Sequence, residues 1–150
     1  MRTYHVRAEG LVNAPTGRVY DLIADYRHGH PRIMPRPPFV SLDVEEGGIG
    51  AGTVIRCRMR AFGRIRTFRA AITEPEPGRV LCETDMETGT VTSFTVEQID
   101  SRTRVTIATE FESREGLLGR IERFLVARWL PAVYLREIEQ MGAVADGGLR

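Results

Sequence analysis

Lysine is absent from this chain of 150 residues: all 21 basic side chains are arginine. Schiff-base catalysis needs a lysine amine, so that chemistry is excluded away from the N-terminus. Cysteine is scarce. Cys57 and Cys82 match no metal-ligand spacing and are too few for a disulfide framework, which makes two buried free thiols the expectation. No apolar run reaches the length of a signal segment or a membrane span, so a soluble, cytoplasmic protein without stable membrane insertion is expected. Neither charge sign dominates, with 21 basic against 20 acidic residues, which argues against a nucleic-acid-binding or polybasic membrane module. The nucleophile-elbow pattern Gly-x-Ser-x-Gly is missing, and triad hydrolysis loses its support with it. No repeat, low-complexity segment or linker divides the chain. One domain over residues 1–145 with a short tail over 146–150 is expected, and no cofactor motif is present.

What the chain does contain is a long apolar helix at its end. From Leu117 to Met141, residues Leu117, Leu118, Ile121, Phe124, Leu125, Ala132 and Leu135 fall in one sector at 100° per residue, which predicts a core-facing stripe on a helix of about 38 Å. Pro131 predicts a kink, because its ring removes the donor that would bond Ala127. Between Phe124 and Leu135 the opposite face is apolar as well, with Val126, Ala127, Leu130 and Tyr134. A helix without a polar face needs cover on both sides, from the short N-terminal helix or from a second subunit, so partial dimerisation is one expectation.

Ahead of this helix the periodicity is that of strands. Tyr4 to Val12 alternates, and Asn13-Ala14-Pro15-Thr16 then opens a short helix carrying Val19, Leu22, Ile23 and Tyr26. Arg27 to Pro38, with four prolines, allows at most a helical turn, and Phe39 to Glu46 returns to strand. The glycines between Gly47 and Gly52 precede a strand-like segment rather than a helix, so a phosphate-binding loop is not expected. Inward positions Ile55, Cys57 and Met59 predict pairing with Ile72, Ala70 and Phe68, closed by a Gly63-Arg64 turn of type II′. Arg79 to Thr84 is a further strand of open parity. Thr92, Phe94 and Val96 predict pairing with Thr109, Ile107 and Val105 through Ile99-Asp100-Ser101-Arg102. Strands segregated from helices in this order predict an α+β fold in which a seven-stranded antiparallel sheet curls around the final helix and leaves a cavity between them.

In this order the chain resembles the START-like helix-grip superfamily, also labelled SRPBCC or polyketide cyclase/dehydrase. The carriers are Val12-Asn13-Ala14-Pro15 with Val19-Tyr20-Asp21-Leu22-Ile23-Ala24-Asp25-Tyr26, Gly50-Ala51-Gly52-Thr53, Thr73-Glu74-Pro75-Glu76-Pro77-Gly78-Arg79, Thr103-Arg104-Val105-Thr106 and Gly116-Leu117-Leu118-Gly119. These motifs span essentially the whole chain and speak for fold far more than for function. Within the superfamily, Asp25-Tyr26-Arg27-His28-Gly29-His30-Pro31 is similar to the coenzyme-Q-binding, aromatic-cyclase-like branch, without the aromatic-rich segment usual after it. The resemblance implies binding or carriage of a small hydrophobic or amphipathic molecule, such as a lipid, quinone or polyketide. A cyclase or dehydratase using the same cavity, and a dimerising interaction module, are the alternatives.

The candidate ligand-binding residues are Tyr26, Cys57, Met59, Phe68, Thr92, Phe94, Ile107, Thr109, Arg128, Trp129 and Val133. For any single one, plain core packing is the simpler role. Tyr26, Glu83 and Arg128 are the candidate acid–base groups. Arg128 projects into the helix stripe and is the candidate polar anchor for an acidic ligand, unless it snorkels to water or pairs with Glu83 or Asp25. Asp25, His28 and His30 are the one local set of metal-ligand types, but two histidines at i and i+2 do not make a site without further ligands, and no metal is expected. His28 and His30 are expected to be exposed at the cavity entrance. Arg56, Arg58, Arg60 and Arg69 predict a basic outer face balanced by nearby acids; with no interleaved aromatics, no nucleic-acid partner is expected.

Overall fold

The computed structural model describes residues 2–147; the last three residues of the expected tail lie outside them. In chain order the elements are β1 (Arg2–Val12), α1 (Thr16–Ala24), α2 (His30–Ile33), β2 (Phe39–Glu46), β3 (Val54–Ala61), β4 (Arg64–Glu76), β5 (Val80–Asp85), β6 (Val91–Ile99), β7 (Arg102–Ser113) and α3 (Gly116–Gly147). The strands form one antiparallel sheet in the order β1-β7-β6-β5-β4-β3-β2. This is the α+β, helix-grip arrangement expected from the sequence. The connection from β1 through the two short helices to β2 carries the chain to the far edge of the sheet.

Alternation decides which face is covered. Val6, Ala8 and Val12 of β1 and Thr103, Val105, Ile107 and Thr109 of β7 are buried, while most of their sequence neighbours are more accessible. The β6–β7 hairpin pairs Thr92 with Thr109, Phe94 with Ile107 and Val96 with Val105, and turns through Asp100 and Ser101, as the pattern predicts. The β3–β4 hairpin differs. Ile55 pairs with Ala70, Cys57 with Phe68 and Ala61 with Arg64, two residues from the expected register, so Phe62 and Gly63 form the turn. Both have positive φ, 51° and 76°, the mark of a type I′ turn rather than II′. A shift of two leaves every side chain on its expected face. Arg64 and Arg66 share the concave side with Phe68 and Ala70, opposite Ala61 and Met59. The parity of β5 resolves with Leu81 and Glu83 on the same concave side, paired with Phe94 and Thr92.

α3 runs unbroken through Pro131, and its orientation reverses the expected one. Leu117, Leu118, Ile121, Phe124, Leu125 and Leu135 are exposed, Leu118 at 77%. The face against the sheet carries Leu130, Val133, Tyr134, Glu137, Ile138, Met141 and Ala145, all buried. Both faces are apolar, and the one packed on the sheet is the less leucine-rich, with Glu137 buried in it. Gly10 of β1 allows the close approach: a Cβ there would lie 3.1 Å from Ile138 Cγ2, tighter than ordinary packing. α3 is therefore seated on β1 and β7, with α1 and α2 against its second half.

This orientation makes a direct prediction for stability. Ile138→Ala should cost about 2–5 kcal/mol in urea denaturation, whereas Leu125→Ala on the exposed face should change stability by no more than about 0.5 kcal/mol. The reverse ranking would turn the helix over.

Candidate functional site

Four ionisable or hydrogen-bonding side chains meet between the sheet and the second half of α3. Tyr26, just beyond α1, is fully buried and donates its hydroxyl to Glu83 Oε2 at 2.6 Å. His30, at the start of α2, stacks on the Tyr26 ring with centroids 4.4 Å apart and presents its edge to Phe94 at 5.5 Å. Its Nδ1 lies 2.8 Å from the carbonyl of Ile23, and because a carbonyl only accepts, Nδ1 carries the proton. Nε2 is thereby aimed at two carboxyls, Glu83 Oε2 at 3.6 Å and Glu137 Oε1 at 3.7 Å. The expectation that His30 is exposed at an entrance is corrected: the short Asp25–Gly29 turn folds it inward, with the Gly29 and His30 amides both donating to the Asp25 carbonyl. His28 does stay exposed, 3.9 Å from Asp25. Asp25 itself is occupied in the turn, its Oδ1 accepting from the Arg27 and His28 amides.

Glu137 sits on the sheet-facing side of α3 and is 3% exposed. Burial, reinforced by the charge of Glu83, holds its carboxyl well above the usual carboxylate range. Burial and the neighbouring Glu83 raise the Tyr26 hydroxyl in the same way, which keeps it a hydrogen-bond donor. The Cys57 thiol is also pushed upward by burial, with Glu83 and Glu137 adding to the shift, so it is no nucleophile. Beside these groups runs a hydroxyl chain, Thr92 to Thr109 at 2.7 Å and Thr109 to Tyr134. Among the described residues every buried side-chain polar atom has a partner.

Accessibility along the strands shows where this interior meets solvent. On the concave face Ile55 and Ala70 are buried, but Met59 and Phe68, nearer the β3–β4 turn, are half-buried. Val6 and Thr109 are likewise buried, while Tyr4 and Phe111 beyond them are half-buried. The interior therefore opens at the sheet end that carries the β3–β4 turn, beneath the first half of α3, where Phe62 rests on Trp129 with centroids 5.3 Å apart. A pocket of about 210 Å³ lined by Thr3, Thr88, Val91, Glu110, Phe111 and Glu112 lies mostly on the other face. Val91, Glu110 and Glu112 alternate with the concave-facing Thr92, Thr109 and Phe111. That pocket touches none of the four clustered groups.

Of the residues singled out from sequence, Cys57, Met59, Phe68, Thr92, Phe94, Ile107 and Thr109 occupy the concave face, Tyr26 and Val133 are buried against it, and Trp129 is half-buried at the open end. Tyr26 and Glu83 are in direct contact. Arg128 is not with them: it is exposed on the outer stripe of α3, its guanidinium 5.5 Å from the Phe124 ring centre. The anchor expected there is corrected by the same reversal that exposes the leucines. His30 and Glu137 were missed. The one signal for Glu137 is its place one turn after Val133 on the less leucine-rich face; His30 carries no periodic signal because its position depends on a turn. On the outer face Arg56 and Arg69 share Glu45, at 3.1 and 2.6 Å.

The buried carboxyl makes stability depend on pH with a definite sign. Glu137 keeps its proton in the fold to higher pH than in the unfolded chain, so the stability it contributes is complete below the ordinary carboxylate range and is lost as pH rises through its raised value. Glu137→Gln should therefore remove a decline that begins in the parent protein as pH rises above the ordinary glutamate value, about 4.3, and is worth at most ~1.4 kcal/mol per pH unit. Thermal melts of the two proteins should diverge as pH rises, with the variant the more stable at the upper end.

The fold is shared with known proteins. Residues 3–146 match the family described as polyketide cyclase / dehydrase and lipid transport. The solved KanY protein (ms6282) superposes with a TM-score of 0.85 at 23% identity, covering 97% of this chain and 99% of that one. The Zhui aromatase/cyclase from Streptomyces sp. R1128 superposes with a TM-score of 0.78 at 20% identity, covering 99% and 97%. The major latex-like protein 151 from Panax ginseng does so at 0.68 and 15%, covering 95% and 97%. No curated protein sequence matches. At these identities the structures speak for the fold alone, but the family match extends over nearly the entire chain, and the chain belongs to the polyketide cyclase / dehydrase and lipid-transport family.

Proposed function

We propose that this protein binds and carries a small, neutral, amphipathic molecule, an apolar body bearing hydroxyl or carbonyl groups, between the concave sheet and α3. The family match supports a hydrophobic ligand, and the Tyr26–Glu83–His30–Glu137 cluster narrows its chemistry. Two carboxyls reach the interior, and among the described residues no arginine is buried. A ligand carboxylate would meet Glu83 with no guanidinium to offset the repulsion and the loss of its hydration. A hydroxyl or carbonyl fits better, since protonated Glu137 donates and Glu83 accepts. Arg64 and Arg66 share the concave face only at its exposed rim.

Trp129, the one tryptophan in the chain, reports on the open end by its fluorescence. Quenching by a matched pair, naphthol and naphthoate, should give at least ~10-fold tighter binding of naphthol, about 1.4 kcal/mol, and Glu83→Gln should narrow the gap. Equal affinities, or a preference for naphthoate, would contradict this reading.

One observation favours catalysis as a second reading. Two carboxyls converge on one imidazole nitrogen and Glu137 is held neutral, the division of labour that acid–base chemistry uses. Cyclisation or dehydration of a polyketide-like hydroxyketone would have Glu83 remove a proton beside the carbonyl while Glu137 delivers one to the departing hydroxyl, with Tyr26 orienting Glu83. On that reading Glu83→Gln and Glu137→Gln should each lower turnover about 100-fold or more while naphthol still binds. Retained turnover in both variants would rule these assignments out.

A further inference from the structure

We infer that the outer stripe of α3 and the tip of the β3–β4 hairpin together form a surface that docks on a lipid bilayer bearing anionic headgroups. The apolar part is large side chains with no protein cover. Leu117, Leu118, Ile121 and Phe124 are 72%, 77%, 47% and 60% exposed on three successive turns of the helix. Phe62 and Ile65 at the hairpin tip are 51% and 43% exposed, and the Phe62–Trp129 contact joins the tip to the helix. Contiguous exposed apolar surface of this kind is the mark of an interaction face.

Charge selects the occupant. Residues 47–73 contain six arginines and no acid, and residues 114–128 contain four arginines and two acids, so these segments hold ten of the 21 arginines but two of the 20 acidic residues. Only Arg56 and Arg69 of the hairpin set are drawn to Glu45. Arg60, Arg64 and Arg66 surround the hairpin tip, and Arg120 and Arg128 lie beside and within the helix stripe, all exposed. By the 100° rule the sector from Leu117 to Leu135 that holds the stripe contains no carboxylate, Glu115 and Glu122 falling outside it. A second copy docked on this face would set arginine against arginine, with only Glu122 at the stripe's flank and Glu139 one turn beyond Leu135 to pair them. An anionic bilayer satisfies both halves at once, because its acyl region takes the leucines, isoleucines and phenylalanines while its phosphates take the guanidinium groups. No helix among the described residues is long and apolar enough to cross a membrane, so the contact is peripheral. It lies at the end where the interior opens, although the docking argument does not depend on any ligand.

Co-sedimentation with ligand-free vesicles tests the inference. The full chain should bind phosphatidylcholine vesicles containing phosphatidylglycerol at least ~10-fold more tightly than pure phosphatidylcholine vesicles, with affinity falling as salt rises. A Leu118→Gln, Phe124→Gln variant and an Arg64→Gln, Arg120→Gln, Arg128→Gln variant should each lose about 10-fold or more of that binding while their melting curves and naphthol quenching stay unchanged. Failure of the parent protein to bind anionic vesicles would overturn the inference. So would vesicle binding that neither variant weakens, or a parent dimer that Leu118→Gln, Phe124→Gln dissociates, which would assign the face to a second copy.

Discussion

A carboxyl group kept out of water beneath α3 is the constraint on which the rest of this structure depends. Glu137 can be buried only as the neutral acid or as a paired ion; His30 Nε2 lies 3.7 Å from it, and burial together with the charge of Glu83 disfavours its ionised form. It sits on the helix face that the sheet covers. Turning α3 to bury its leucine stripe would carry Glu137 to solvent, break its approach to His30, and leave the Tyr26–Glu83 hydrogen bond against an incomplete wall. His30 stacks on Tyr26 and meets Phe94 edge-on around the same point, so the short helices after β1, the middle strands and α3 are held together by one polar knot within an apolar core.

Much of the fold was legible because period-2 alternation and turn chemistry are local. The β6–β7 pairing follows directly from where Thr92, Phe94 and Val96 fall relative to Val105, Ile107 and Thr109. The β3–β4 hairpin was harder, since Phe62 adopts a positive φ that its residue type disfavours. Gly63 alone suggested a turn starting one residue later. The face of α3 was not legible for a different reason. Periodicity identifies an apolar sector but cannot say which of two sectors the core selects, and a buried glutamate counts against the face that wins. Tyr26 and Glu83 could be named from sequence as acid–base candidates; their partners could not. His30 reaches the cluster through the Asp25 turn, and no pattern in residues 25–30 encodes where a ring five residues beyond Asp25 will point.

The reversal also redistributes function across the molecule. With Arg128 outside, the interior holds acids and hydroxyls but no buried arginine, while the arginines of the hairpin and of the first half of α3 surround exposed apolar side chains at the open end. One end of the protein is thus acidic within and basic without. That polarity suits a neutral guest inside and an anionic surface outside, two demands that the near-balanced total of 21 basic and 20 acidic residues conceals.

The central claim is that burial holds the Glu137 carboxyl well above the ordinary carboxylate range, and carbon-13 NMR of its side-chain carboxyl tests it most directly. With the resonance assigned by comparison with Glu137→Gln, the account predicts a titration midpoint well above the ordinary glutamate value. A carboxyl that titrates at the ordinary glutamate value, about 4.3, would contradict it.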